Sequence, residues 1–198
     1  MKKVLLSAIA VMAFMSVSAQ ETRFGVKAGA NLSTIGGDAE DAKSLVGFQV
    51  GGFAEIKLTD KFAIQPEVLF STQGAKEEGS DLFGSYENKV TLGYLNIPVM
   101  AKYYVAEKFS VEAGPQIGFL LSAKSKFEAG GESEKTDVKD AYESIDFGVN
   151  FGAGYDFTEN LSVGLRYNLG LSNIAKTEDG EDFKMNNSVF SLSVGYKF

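Results

Sequence analysis

The stretch Ser188–Phe198, SVFSLSVGYKF, alternates between two kinds of side chain. Successive side chains of a β-strand point to opposite faces, so each face of this stretch would meet a different medium. The apolar face comprises Phe190, Leu192, Val194, Tyr196 and Phe198, and the other comprises Ser191, Ser193, Gly195 and Lys197. This pattern predicts a strand that separates an apolar medium from a polar one.

Seven further stretches share the same period of two. The clearest is Ser144–Phe157, in which one face is apolar at all seven positions and the other at none. A helix would repeat its apolar residues every three to four positions, so this alternation indicates strands. The remaining stretches are Phe24–Leu32, Val46–Leu58, Phe62–Thr72, Thr91–Tyr104, Phe109–Leu121 and Leu161–Leu171.

The connections between these eight predicted strands alternate in length. Three are tight turns, at Thr59–Lys61, Val105–Lys108 and Thr158–Asn160, and four are long and hydrophilic. The long ones are Ser33–Ser44, Gln73–Lys89, Ser122–Glu143 and Ser172–Asn187. Strict interleaving places every long loop at one end. We therefore predict an all-β fold, an eight-stranded antiparallel up-and-down transmembrane β-barrel with short periplasmic turns and four long outer loops.

The alternation alone does not say which face lines the lumen. A soluble lipocalin-like barrel would turn the apolar face inward around a ligand. Here the polar face is rich in Gly, Ser and Asn, which suits the narrow interior of eight strands. The aromatic residues collect at the short-turn ends, as an interfacial girdle does. They are Phe24, Phe62, Tyr103, Phe109, Tyr155, Phe157, Tyr196 and Phe198.

Residues 1–19 are expected to be a cleaved signal peptide, which leaves residues 20–198 as the outer-membrane barrel. Lys2 and Lys3 precede a short apolar run, and Val17–Ala19 has the small residues of a cleavage site. An uncleaved N-terminal anchor is the alternative. No later stretch is long and apolar enough to predict a transmembrane helix.

The remaining composition argues against several functions. Without Lys2 and Lys3 the chain has 17 basic and 26 acidic residues, so no basic stripe is available for nucleic acid. The chain has no His and no Cys, which removes the usual proton shuttle and the commonest zinc ligands. We therefore expect no enzymatic activity, no cofactor and no metal site. The acidic run Glu178–Asp182 has carboxylates suited to Ca²⁺ but lacks EF-hand spacing, so a solvated loop is favoured.

Arg166 falls on the polar face of the seventh predicted strand. A buried Arg needs partners, and Glu67, Glu112 and Glu55 fall on the polar faces of other strands. The planar guanidinium can bridge two carboxylates, so we predict that Arg166 is the hub of a lumen salt-bridge network that plugs the barrel. Pro66, Pro98 and Pro115 lack a backbone donor, which predicts bulges or irregular pairing.

Several segments resemble known outer-membrane proteins. The final strand, with Tyr196 and Phe198, looks like the signal read by the barrel assembly machinery. Four segments together look like the PorT-like outer-membrane β-barrels of Bacteroidetes, and the likeness covers essentially the whole chain after the leader. They are Phe24–Asn31, FGVKAGAN; Tyr94–Val99, YLNIPV; Glu112–Pro115, EAGP; and Val194–Phe198, VGYKF.

The expected function is that of a small non-enzymatic protein of the bacterial outer membrane, with a structural or interaction role through its outer loops. Outer-membrane lipid, lipopolysaccharide and protein partners of loops 33–44, 73–89, 122–143 and 172–187 are the expected contacts. The resemblance implies one alternative, an accessory subunit of a type IX secretion or gliding apparatus. A pore is less favoured, because eight strands leave no open aqueous channel.

Overall fold

The computed structural model describes residues 21–38, 42–81, 84–130, 132–176 and 183–198. They form nine strands and one short 3-10 helix, Lys139–Ala141. No helix within these ranges is long and apolar enough to span a membrane. The expected leader, residues 1–19, lies outside the described part. The strands are β1 (Thr22–Gly37), β2 (Lys43–Lys57), β3 (Phe62–Asp81), β4 (Gly84–Ala106), β5 (Phe109–Ala129), β6 (Glu132–Asp137), β7 (Ile145–Asp156), β8 (Leu161–Gly170) and β9 (Met185–Lys197).

Eight of the strands close into a ring in which every neighbouring pair is antiparallel. The first and last strands complete the ring, with β1 and β9 paired from Gly25–Lys197 to Gly37–Met185. Closure leaves no open edge, which hydrocarbon would penalise by several kcal/mol per unpaired backbone group. The short β6 pairs with β5 above the ring. The predicted eight-stranded antiparallel barrel is confirmed.

The two faces of the barrel wall are oriented as predicted. Apolar side chains point outward, with Phe24 61% exposed and Leu192 54% exposed. Polar side chains fill the interior, where Asn31 and Glu67 are almost completely buried. The soluble alternative with an apolar lumen is therefore wrong. Aromatic pairs such as Tyr155 and Phe157, whose ring centroids lie 5.0 Å apart, mark the short-turn end.

The predicted long loops contain more strand than expected. The segment Gln73–Lys89 is mostly a hairpin, because β3 continues to Asp81 and β4 begins at Gly84. The segment Ser122–Glu143 holds the end of β5, all of β6 and the 3-10 helix. Beyond the membrane both faces of a strand meet polar surroundings, so the alternation disappears although backbone pairing continues. Hydrophilic composition therefore hid these extensions.

The register shifts fall away from the prolines. Shifts occur between Ser44 and Gln49 in β2, and between Gly93 and Tyr94 and between Tyr104 and Ala106 in β4. The register is constant through all three prolines, so the predicted bulges there are wrong, although paired positions are interrupted beside them. Gly74 lies opposite the shift in β2 with a φ of +139°, a conformation that favours glycine.

Candidate functional site

Arg166, which the sequence predicts as a hub, lies in the barrel lumen. Arg166 of β8 donates through Nη1 and Nη2 to the two carboxylate oxygens of Glu67 on β3, each at 2.9 Å. Its Nε donates to Oε1 of Glu112 on β5 at 2.8 Å. This guanidinium therefore bridges two carboxylates across the lumen, in the planar geometry that Arg favours. All three side chains are buried.

Lys27 of β1 completes this central layer. Its Nζ donates to Oε1 of Glu67 at 2.7 Å, so Glu67 binds two cations. The layer contains two positive and two negative groups and is neutral when all four are ionised. Gly152 makes room for the network, because a Cβ there would lie 3.0 Å from Oε1 of Glu112. Neutrality and close hydrogen bonding offset the desolvation of the buried charges.

A second charged layer lies nearer the short-turn end of the barrel. Glu55 of β2 accepts from Nζ of Lys102 at 2.7 Å and from Nζ of Lys197 at 3.3 Å. Lys197 also donates to Oδ2 of Asp156 at 3.0 Å. Gln65 connects the layers, because its Oε1 accepts from Lys102 at 3.2 Å and its Nε2 donates to Glu67 at 2.6 Å. The lower layer is also neutral when its four charged groups are ionised.

The two layers take their charged residues from alternate strands of the ring. Each strand contributes one charged side chain to these two layers, so the eight strands divide evenly between them. Stacked layers built from alternate strands are a known way to fill a narrow barrel. The central layer has Lys27 (β1), Glu67 (β3), Glu112 (β5) and Arg166 (β8); the lower layer has Glu55 (β2), Lys102 (β4), Asp156 (β7) and Lys197 (β9).

Amide and hydroxyl side chains occupy the next part of the lumen. Asn168 donates to Oδ1 of Asn150 at 3.1 Å, and Asn150 donates to Oε1 of Gln116 at 3.3 Å. Above them the carboxylate of Asp146 accepts from Nδ2 of Asn187 at 2.8 Å. These hydrogen bonds satisfy polar groups that are removed from bulk water.

An apolar cluster closes the outer end of the lumen. Leu92 and Tyr94 of β4 are completely buried there. Five members come from segments that were predicted as long hydrophilic loops, namely Ile35, Ala75, Ala123, Tyr142 and Ile174. A bridge between Tyr142 and Ala175 joins two of these segments. The full cluster is Ile35, Ala75, Leu92, Tyr94, Leu120, Ala123, Tyr142 and Ile174. We call it the apolar cap.

The interior leaves little free volume. A cavity of about 30 Å³, enough for about two waters, lies among Lys27, Lys102 and Glu112. At the short-turn end of the barrel a vestibule of about 570 Å³ ends on Glu55 and Lys197 of the lower layer. The packed interior therefore holds the charged side chains of the two layers in fixed positions.

The structure brings together three of the four lumen residues named from the sequence. Arg166, Glu67 and Glu112 are in contact, whereas Glu55 belongs to the lower layer and reaches Glu67 only through Lys102 and Gln65. The cations Lys27, Lys102, Lys197 and the apolar cap were missed. The period of two already places the three lysines on the polar face. The sequence therefore contained the signal needed to predict these lysines as lumen residues.

The predicted assembly-signal residues lie on the outside of the ring closure. The rings of Tyr196 and Phe198 pack edge to face, with centroids 5.5 Å apart. The backbone N–H of Phe198 donates to the carbonyl of Phe24 at 2.8 Å. No set of three or more Asp and Glu side chains in the described ranges is arranged to hold a metal ion. The acidic run Glu178–Asp182 lies outside those ranges.

Comparisons with known proteins agree with this geometry. Residues 18–176 match the family model described as "Outer membrane protein beta-barrel domain". Neisserial surface protein A shares 17% identity with this chain, over 88% of this chain and 97% of that protein, at a TM-score of 0.57. The Yersinia pestis attachment invasion locus protein Ail, solved with the heparin analogue sucrose octasulfate, shares 14% identity over 90% and 99%, at a TM-score of 0.52. The two structures show a shared fold. A search of curated proteins finds no match.

Proposed function

Because this chain belongs to the outer membrane protein beta-barrel domain family and resides in the bacterial outer membrane, we propose that it is a non-enzymatic barrel with a structural or interaction role. The observation that carries the proposal is the closed lumen. Two charged layers, an amide layer and the apolar cap fill the interior. The role is exerted through the outer ends of the strands and their connections, because the described side chains fill the lumen down to a cavity of about 30 Å³.

In this proposal the Arg166 network is a plug. The guanidinium and its carboxylates form ion pairs that span the lumen, and the apolar cap seals the outer end. A transport role would require both barriers to open. Eight strands provide too narrow an interior for a permanent aqueous channel even without these side chains.

We expect the folded protein to show no unitary conductance in a planar lipid bilayer. The charged layers and the apolar cap must both be displaced before ions can pass. The measurement is a single-channel recording of purified wild type beside the Arg166→Met variant, with a known porin as the positive control. If the wild type showed a stable conductance that this substitution altered, the lumen would be a pore and the plug would be wrong.

The long connections are proposed to face the cell exterior. The chain contains no Cys, so one introduced Cys gives one labelling site. We expect a membrane-impermeant maleimide to label Ser133→Cys in β6 on intact cells, and Asp60→Cys and Glu159→Cys only after permeabilisation. All three positions are exposed, so accessibility depends on the side of the membrane. Labelling of Asp60→Cys on intact cells would show that the topology is the reverse of the one proposed.

The likeness to PorT-like barrels of Bacteroidetes supports an alternative role on the same outer surface. An accessory subunit of a type IX secretion or gliding apparatus would use the barrel as an anchor for a stable protein partner. Crosslinking on intact cells from Ser133→Cys distinguishes the two roles. A stoichiometric partner from a secretion apparatus would favour the alternative, and crosslinks only to lipopolysaccharide would favour the free-standing barrel.

A further inference from the structure

Five lysines lie directly opposite one another across five consecutive strands. The register pairs Lys43 of β2 with Lys76 of β3, Lys76 with Lys89 of β4, Lys89 with Lys126 of β5, and Lys126 with Lys135 of β6. Like charges at directly opposite positions destabilise a sheet. We call these residues the lysine row. Five cations in one row therefore suggest that an anionic group binds there and offsets their repulsion.

The lysine row is on the outward face of the barrel. Ala75, Val90 and Ala123 pack into the apolar cap, so their neighbours on the opposite face, Lys76, Lys89 and Lys124, point away from the lumen axis. The other members of the row are paired with these strands in register and share the face. The row therefore continues the lipid-facing surface beyond the membrane.

The row begins a short distance above the apolar surface. Lys43 precedes the exposed Val46 by three residues, and Lys126 follows the exposed Leu121 by five. These separations correspond to roughly 10 Å and 17 Å along a strand, and less in height because barrel strands are tilted. Lysine side chains at this depth meet the polar part of the outer leaflet.

Carboxylates neutralise the row only in part. A second row, Glu78, Glu87 and Glu128, lies two residues farther from the membrane. Glu78 binds Lys76 and Lys43, and hydrogen bonds from Lys76 first and then Lys43 lower the pKa of Glu78 to about 2. Glu128 binds Lys126.

Two members of the row remain without a carboxylate. Lys89 and Lys135 make no ion pair within the described residues. Lys124, two residues nearer the membrane on the same face, lies opposite Asp137. Apart from Asp137, the carboxylates Glu78, Glu87 and Glu128 lie on the distal side of the lysine row.

We propose that the lysine row binds the phosphate groups of outer-leaflet glycolipid, the bis-phosphorylated disaccharide lipid of a Gram-negative surface. Charge complementarity and continuity with the lipid-facing surface identify this occupant. Each Lys near an anionic lipid surface strengthens binding roughly fivefold. The inference rests on the proposed outward orientation, which the labelling at Ser133→Cys tests separately.

The test compares two triple variants with the same change in charge. Lys43→Gln/Lys89→Gln/Lys135→Gln removes alternate members of the row. Lys61→Gln/Lys108→Gln/Lys176→Gln removes three exposed lysines elsewhere and is the control. Each protein is reconstituted with phosphatidylcholine and lipid A, or with enzymatically dephosphorylated lipid A. Native mass spectrometry then measures the glycolipid retained per barrel, with and without inorganic phosphate as competitor.

We expect wild type and the control to retain phosphorylated lipid A, and the row variant to bind it on the order of 100-fold more weakly. Equal retention by the row variant, or equal retention of the dephosphorylated lipid, would overturn the proposal. Complete competition by millimolar inorganic phosphate would also overturn it, because the site would then recognise free anions. If the row variant does not fold, wild-type retention must still weaken as salt rises from about 0.05 to 0.5 M, since salt screens exposed charges.

Discussion

Replacement of Arg166 by Met is expected to lower the free energy of unfolding by about 3–5 kcal/mol, because a buried ion pair loses one partner. Glu112 loses its hydrogen bond from Arg166, and Glu67 keeps only Lys27 and Gln65. The central layer then carries one excess negative charge inside the barrel. Urea titration of the protein in lipid vesicles measures the change.

Arg23 provides the matched control, since it is the other Arg of the chain. It lies at the short-turn end of the barrel and donates to Glu21 at 2.7 Å in an exposed pair. Exposed pairs contribute about 0–1 kcal/mol, so Arg23→Met should change stability little. Equal losses of stability for the two variants would contradict the role of Arg166 as a hub.

A double variant separates charge from packing. Arg166→Met/Glu112→Gln removes one positive and one negative group, which leaves Lys27 and Glu67 as a neutral pair. We expect this double variant to be more stable than Arg166→Met alone, because no carboxylate remains without a cation. If the second substitution recovers nothing, the loss in Arg166→Met is due to packing and the ion pairs contribute little.

Deletion of Phe198 is expected to reduce the folded barrel in the outer membrane several-fold. In the proposed assembly pathway the barrel assembly machinery reads the final strand, and Phe198 is its terminal aromatic residue. The folded amount is measured by the shift in electrophoretic mobility between heated and unheated membranes. Tyr196→Ala, which keeps the terminal residue but removes the adjacent ring, should give a smaller reduction.

Refolding of the same deletion in detergent separates recognition from stability. Phe198 is 71% exposed and makes one backbone hydrogen bond, to Phe24, so its removal should have little effect on folding without the machinery. A variant that fails equally in detergent and in cells would show that Phe198 acts through stability. Unchanged folded protein in cells would show that it is not a signal.

The sequence predicts the fold well where membrane and lumen impose different media on the two faces. The bounds of the predicted strand Ser188–Phe198 differ from those of β9 by at most three residues. The order of long and short connections correctly predicted the ring of antiparallel strands. The prediction was less complete outside the membrane. Glu77 and Glu78 lie on opposite faces of the hairpin between β3 and β4 and are both exposed, so the strand pairing there has no alternating signature.

The lumen was harder to predict. Side-chain alternation shows which face of a strand a residue is on, but it does not show how far along the barrel axis that residue lies. Arg166 and Glu67 were correctly placed on the same face, yet the stagger between neighbouring strands decides which residues share a layer. Glu55 therefore belongs to a different layer from the one around Arg166. Tyr142 and Ile174 are isolated apolar residues in polar segments and have no periodic signal, so their place in the apolar cap was not foreseen.

The distribution of charge among the strands has a consequence for the order of folding. Within the two charged layers, the residues of β1–β5 carry one excess negative charge, and those of β7–β9 carry one excess positive charge. The first group is Lys27, Glu55, Glu67, Lys102 and Glu112, and the second is Asp156, Arg166 and Lys197. A half-formed wall therefore retains uncompensated charge until its last three strands dock. The ion pairs of the two layers are complete only when all eight strands of the ring are in place, which favours cooperative assembly.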